Sequence, residues 1–237
     1  MSERVVIVGG TSGIGLSAAA LLARTGRDVV IAGRGEERLE QALKEIGEGA
    51  TGAVVDARDP EATRAFLAGA APVDHVVITV TGRGQAAGPL ASLTAQALRQ
   101  AVEDKLIAHL MAAQAAVEAM RPGGSLTFVT AASAGSSFPG VSGLAAVNGA
   151  IEATVPGLAV ELAPIRVNAV SPGVVDTGWW EWLGEERQAA LDGFAAGTTV
   201  GRVGTPDDVA EAVAYLVGAS YTTGTILRVD GGGFLKP

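Results

Sequence analysis

Three glycines, Gly9, Gly13 and Gly15, separate the apolar run Val5-Val6-Ile7-Val8 from the Ala/Leu-rich segment Leu16-Ser17-Ala18-Ala19-Ala20-Leu21-Leu22. That spacing can hold a diphosphate. Glycines permit a tight turn, let the backbone approach a pyrophosphate, and allow a helix to lie close to its strand. Thr11, Ser12 and Ile14 fall where the helix begins, and free N–H groups with the positive end of the dipole favour an anion there. A glycine turn that only joins strand to helix is the alternative, and the flanking strand and helix point to a dinucleotide. A second pair, Lys105 and His109, sits four residues apart and so on one helix face. Of the two, the imidazole is the side chain that titrates near neutrality.

These groups need a scaffold, and the apolar pattern supplies one. Four consecutive β-branched residues suit a strand buried on both faces. Similar runs recur at Val29–Ala32, Ala53–Val55, His75–Val80, Leu126–Val129, Arg166–Val170 and Ile226–Val229. Segments of helical periodicity lie between most of them, such as Glu36 to Ile46 and Ala95 to Met120. The alternation predicts a single α/β domain over residues 1–237, Rossmann-type and doubly wound, with about seven parallel strands and helices on both faces. Ligands of such sheets bind outside the carboxyl ends of the strands.

Composition narrows the function. The 237-residue chain has no cysteine and two histidines, His75 and His109, which disfavours disulfides, a cysteine nucleophile and a metal site. A net charge of -8 without a basic block argues against nucleic acid and anionic membranes as partners. The first strand begins within a few residues of Met1, leaving no room for a signal peptide. No apolar run reads as long enough to span a bilayer. A soluble cytoplasmic protein acting on a small molecule is the expectation.

The second strand ends in Ala32-Gly33-Arg34. An acid there would bind the adenine ribose diol, whereas Gly33 offers none and Arg34 can pair with a 2′-phosphate. NADP(H) is therefore expected over NAD(H), unless Arg34 is only a solvated loop residue.

The order G-x-x-x-G-x-G resembles the opening of the short-chain dehydrogenase/reductase family, with Val8 where a Thr is usual. The resemblance covers nearly the whole chain. It places Asp56 and Ala57 beside the adenine, although Asp56 could instead cap the helix opening at Pro60. Where the family has Asn-Asn-Ala-Gly, this chain has Thr79-Val80-Thr81-Gly82, which keeps the glycine that lets the cofactor pass. The following Arg83-Gly84-Gln85 would lie near the cofactor's exit. Pro172-Gly173-Val174-Val175-Asp176-Thr177 matches the family's Pro-Gly motif, implying that Pro172, Gly173, Val175 and Thr177 meet the nicotinamide end. Asp230-Gly231-Gly232-Gly233 matches its closing turn, and Gly201–Ala210 reads as a turn with Thr205 capping a helix that has Pro206 at its first position.

The catalytic set departs from the pattern. The gapless match Leu158–Gly173 fixes the register, so Leu144 stands where the family has its Tyr and Asn148 where it has its Lys. The Ser position falls at Ala131, with Thr130 and Ser133 nearby, and Lys105 occupies the Asn position. Lys and Asn thus stand exchanged. The resemblance implies that Lys105 restores positive charge near the nicotinamide ribose while Asn148 bonds the ribose; a helix–helix interface is the alternative place for Lys105 and His109. Losing a positioned acid costs ~10²–10⁴ in rate, so water, Thr130, Ser133 or His109 would have to supply a proton. Trp179, Trp180 and Trp182 fall in the family's substrate lid, about residues 178–200, to line an aromatic pocket or anchor an oligomer interface. A homodimer or homotetramer is expected from the resemblance. The leading expectation is an NADP-dependent oxidoreductase acting on a carbonyl or alcohol with a rearranged site. A silent NADP-binding subunit or a non-redox cyclase or isomerase are the alternatives.

Overall fold

The computed structural model describes residues 2–82 and 86–235. The loop Arg83-Gly84-Gln85 and Lys236 lie outside the described residues. Seven strands form one sheet: β1 Arg4–Val8, β2 Asp28–Gly33, β3 Thr51–Val54, β4 Val73–Ile78, β5 Met120–Val129, β6 Arg166–Pro172 and β7 Ile226–Val229. Their order is β3-β2-β1-β4-β5-β6-β7, and every pairing is parallel. The order reverses between β1 and β4, so the crevice at their carboxyl ends is the switch point where ligands of open parallel sheets bind.

Helices cover both faces, as parallel strands with two apolar faces require. One face packs α1 (Gly13–Arg24), α2 (Glu36–Ile46) and α8 (Pro206–Gly218) on Val5, Ile7, Val77 and Val170. The other packs α3 (Pro60–Ala70), α5 (Ala108–Ala119) and α6 (Ser142–Glu161) on Val6, Val76, Leu126 and Phe128. Alanines dominate the inner side of α5, which brings that helix close to the sheet and buries Ala108, His109, Ala112 and Ala116.

Several boundaries differ from the sequence reading. β4 stops at Ile78, so Thr79 and Val80 belong to the turn above the sheet; β5 begins at Met120, before the apolar run. The segment 95–120 is not one α-helix: α4 (Ala95–Ala101) passes through a π turn at Val102–Ile107 before α5. Asp56 does not cap α3; Asp59 does, accepting from the N–H groups of Glu61 and Ala62. Thr205 caps α8 in a reciprocal capping box with Asp208, behind Pro206 at the first turn. Helix α6, with 20 residues, is long and apolar enough by length and composition to cross a membrane, contrary to the reading that no such run exists. It is built into the fold: Val147, Ile151 and Val155 are buried, and Asn148 and Glu152 project into the polar part of the site.

Candidate active site

A cavity of about 720 Å³ follows the carboxyl ends of the strands across the switch point. Its floor is the turn between β1 and α1. Gly9 and Gly13 have φ of +95° and +53°, in the left-handed region. A Cβ on Gly15 would lie 2.2 Å from the Gly9 oxygen, and one on Gly33 would lie 2.3 Å from Thr11 Oγ1. No side chain fits at either place. Thr79 fixes the turn by donating its hydroxyl to the Gly9 oxygen at 2.9 Å. Ser12 makes no side-chain cap bond at the start of α1, so the first-turn N–H groups keep their capacity for an anion. Gly9, Thr11, Ser12, Gly13, Ile14 and Gly15 all line the cavity, as expected for a cofactor loop.

Beyond Gly33 the cavity is lined by Arg34, Asp56 and Ala57, all anticipated, and by Arg38 and Arg58, which the sequence reading missed. Arg58 bonds both carboxylate oxygens of Asp56, at 2.5 Å from Nη2 and 3.0 Å from Nε. Its Nη1 also reaches Asp104 Oδ1 at 3.6 Å. The guanidinium holds the Asp56 carboxyl below its ordinary pKa. Arg34 and Arg38 form no ion pair among the described residues, leaving two cationic groups at this end of the cavity.

At the other end, Lys105, Thr130, Ser133, Leu144 and Asn148 converge with Thr81, Gly82, Pro172, Gly173, Val175 and Thr177. Lys105 is almost fully buried, and its Nζ donates to the Thr130 oxygen at 3.4 Å. Burial pulls its pKa down to about 8, against the opposing pull of the Glu152 carboxylate. Thr130 and Ser171 each donate a hydroxyl to Glu152 Oε1 at 2.7 Å. Glu152 was not anticipated, although it lies one turn beyond Asn148 on the same face of α6. The Asn148 amide donates to Ser133 Oγ at 3.2 Å and to the Leu144 oxygen at 3.0 Å, while its buried Oδ1 has no partner. That oxygen is a buried acceptor without a protein donor among the described residues. A ribose hydroxyl supplies what it lacks, so the glycine cradle and this amide both fit a nicotinamide dinucleotide.

His109 is corrected. It is fully buried behind Lys105, does not line the cavity, and its Nδ1 lies 2.8 Å from the Lys105 main-chain oxygen. A carbonyl accepts, so Nδ1 carries a proton. Burial first and the Lys105 charge second push its pKa down to about 3. It is not an acid of this site.

After β6, 3₁₀ turns over Gly178–Glu186, interrupted by a kink at Gly184, lead into α7 (Arg187–Ala196). Trp180 donates its indole N–H to the Val175 oxygen at 2.9 Å and packs on Phe194 at 5.3 Å between ring centroids. Trp179 meets Trp180 edge-on at 4.5 Å, and both line the cavity. Trp182 does not: it is 69% exposed and touches only the outer edge of this cluster. Phe138 and Phe234 complete the aromatic wall. No periodicity in the sequence could have brought these distant residues together.

Comparison with known proteins agrees with this geometry. The family model described as "Enoyl-(Acyl carrier protein) reductase" matches residues 8–233. The short-chain dehydrogenase/reductase ATR9 of Stachybotrys chlorohalonatus is 36% identical, with 99% of this chain and 98% of that protein covered. The MalC reductase/Diels-Alderase of Malbranchea aurantiaca superposes with a TM-score of 0.90 at 31% identity, covering 99% of this chain and 97% of that one. A variant of actinorhodin polyketide ketoreductase with NADPH superposes with a TM-score of 0.87 at 30% identity, covering 98% and 97%. On its fold, its glycine-loop cavity and these matches, the chain belongs to the short-chain dehydrogenase/reductase family.

Proposed function

We propose that the protein is an NADP(H)-dependent oxidoreductase acting on a carbonyl or alcohol group through a rearranged site. The observation that carries this reading is the continuity of one cavity from Arg34 and Arg38, past the glycine loop, to Lys105, Asn148 and Ser133. When bound, a nicotinamide dinucleotide supplies or accepts the hydride. The chain's own residues do the rest. The first turn of α1 holds the diphosphate, and Arg34 with Arg38 binds a 2′-phosphate by charge-assisted bonds. Asn148 Oδ1 accepts a bond from a ribose hydroxyl. Lys105 brings to this end of the cavity the positive charge that the family normally places at position 148. Trp179, Trp180 and Phe194 cover the apolar side and exclude water. Structural relatives support the cofactor class, since the actinorhodin ketoreductase carries NADPH.

A second reading, a cyclisation without redox change, is favoured by one feature: apolar Leu144 lines the cavity in place of a phenol. It is supported by the name of the Malbranchea relative, which joins a reductase to a Diels-Alderase. Incubation of the purified protein and NADPH with a panel of aryl ketones, and in parallel with open-chain substrates that carry both a diene and a dienophile, separates the two. Loss of nicotinamide absorbance with alcohol formation supports the oxidoreductase. Substrate conversion with unchanged nicotinamide absorbance supports the cyclase and overturns it.

A further inference from the structure

We propose that Lys105 is the acid of this site, giving its proton to a carbonyl oxygen as the adjacent carbon is reduced, and that Glu152 is the positioning residue that keeps the ammonium in place. This rests on the oxidoreductase reading and adds to it the proton donor and the substrate class.

At the reacting end, the Thr130 hydroxyl donates to Glu152 and the Asn148 amide to Ser133 and Leu144. Ser133 and Thr130 are alcohols, far too weak to protonate a developing alkoxide efficiently near neutrality. Leu144 has no proton to give, and neutral His109 is behind the wall. Lys105 is the remaining group of useful acidity that lines this end among the described residues.

Its placement fits the task. The π turn at Val102–Ile107 carries Lys105 at the cavity wall, and such turns frequently mark functional sites. An ammonium has three N–H donors. One points at the Thr130 oxygen, 3.4 Å away, which leaves two without a protein acceptor among the described residues. Charge balance comes from α6, where the Glu152 carboxylate acts on Lys105 through space, with no ion pair within 4 Å among the described residues; that carboxylate is held by the hydroxyls of Thr130, just after β5, and Ser171 of β6. Thr130 therefore touches both partners, its main-chain oxygen on the lysine and its hydroxyl on the glutamate. Among the described residues, Glu152 is the charge that acts on Lys105: His109 is neutral, and Asp104 is bonded to Gln100 and paired with Arg58. With burial bringing its pKa to about 8, the lysine is poised for general acid work near neutral pH.

A reduced nicotinamide dinucleotide is the hydride source, and a new C–H bond forms at the carbonyl carbon. The π pair of the C=O bond moves onto oxygen, one Nζ–H bond of Lys105 breaks, and its proton forms the O–H bond. The neutral amine then regains a proton from solvent. An ammonium at this point before the transfer favours ketones and aldehydes, whose oxygen gains negative charge, over substrates that are already cationic, such as protonated imines.

The chain has three lysines, Lys44, Lys105 and Lys236, so selective ¹³C labelling of lysine side chains gives three resolvable titrations by NMR. Lys105, assigned with Lys105→Met, is expected to titrate near 8, and lower in Glu152→Gln. Kinetics with NADPH and a panel of aryl ketones complete the test. The wild-type kcat should fall as pH rises through the same value, and the limb should move down in Glu152→Gln. Lys105→Arg keeps the charge without a usable proton, so it should lose ~10²–10⁴ in kcat while NADPH affinity, read by fluorescence, changes less than about threefold. An ordinary lysine titration at Lys105, or full kcat in Lys105→Arg, overturns the proposal. So does NADPH binding to the wild type without reduction of any ketone. Failure of NADPH to bind at all overturns the cofactor reading beneath it, and the proposal falls with it.

Discussion

His109 Nδ1 lies 2.8 Å from the main-chain oxygen of Lys105, one turn back along the same helix. That bond decides what each residue can do. It ties the imidazole into the backbone at the end of the π turn, with the ring 6.0 Å from Phe128, and leaves the lysine side chain to line the cavity.

Because the folded state holds His109 neutral with a pKa near 3, the unfolded chain binds the extra proton first as pH falls below about 6.5. Stability therefore falls from pH 6.5 downwards and stops responding to this residue only below about 3. His109→Asn places an amide N–H near the Nδ1 position. We expect it to cost about 1–3 kcal/mol at pH 7 through lost packing, yet to lose less further stability than the wild type between pH 7 and pH 4. Urea melts at the two pH values check this.

Lys105 carries the opposite relation between stability and function. Its displacement from 10.5 to about 8 corresponds to roughly 3 kcal/mol of unfavourable charge burial below pH 8. Between pH 8 and about 10.5 the unfolded state retains a proton that the folded state has released, so stability rises with pH over that window. Lys105→Met should gain about 1–3 kcal/mol at pH 7, with no such rise, while turnover collapses. A loss of stability in this variant would contradict a buried, unfavourable ammonium.

The nucleotide turn leaves no space for a side chain. Gly15→Ala would bring Cβ within 2.2 Å of the Gly9 oxygen, which is backbone and cannot swing away. We expect about 1–3 kcal/mol of destabilisation and loss of detectable NADPH binding. Gly69→Ala, in α3 with nothing within 4 Å, should instead stabilise by about 0.5–1 kcal/mol and leave binding unchanged.

The two ends of the tryptophan cluster should differ. Trp180 is anchored to Val175 and Phe194, whereas Trp182 is 69% exposed. Trp180→Ala should raise KM for aryl ketones at least about tenfold, the loss of some 1.4 kcal/mol of binding. Trp182→Ala should leave KM unchanged and stability within about 0.5 kcal/mol. Equal effects from both variants would mean that the outer indole also meets substrate.

Apolar periodicity made the sheet legible, because strands buried on both faces cannot hide their pattern, and β1 matches closely. The glycine loop was legible because Gly9, Gly13 and Gly15 are close in sequence. What failed depends on contacts between distant segments. A π turn has no signature in composition, so Val102–Ile107 read as ordinary helix. His109 shares a face with Lys105 by spacing, but burial against Phe128 removes it from the cavity. Glu152 gains its place only when Thr130, just after β5, and Ser171 from β6 are brought alongside α6. Arg38 and Arg58 reach the cavity from α2 and the turn after β3, which residue type alone does not reveal.

The most direct test is a calorimetric titration of NADPH and of NADH into the wild type and into Arg34→Ala. NADPH should bind the wild type more tightly than NADH. Removing the guanidinium should weaken NADPH alone, by about tenfold or 1.4 kcal/mol. Equal affinities for the two nucleotides that do not respond to Arg34→Ala would contradict the 2′-phosphate assignment. No binding of either nucleotide at millimolar concentration would contradict the oxidoreductase itself.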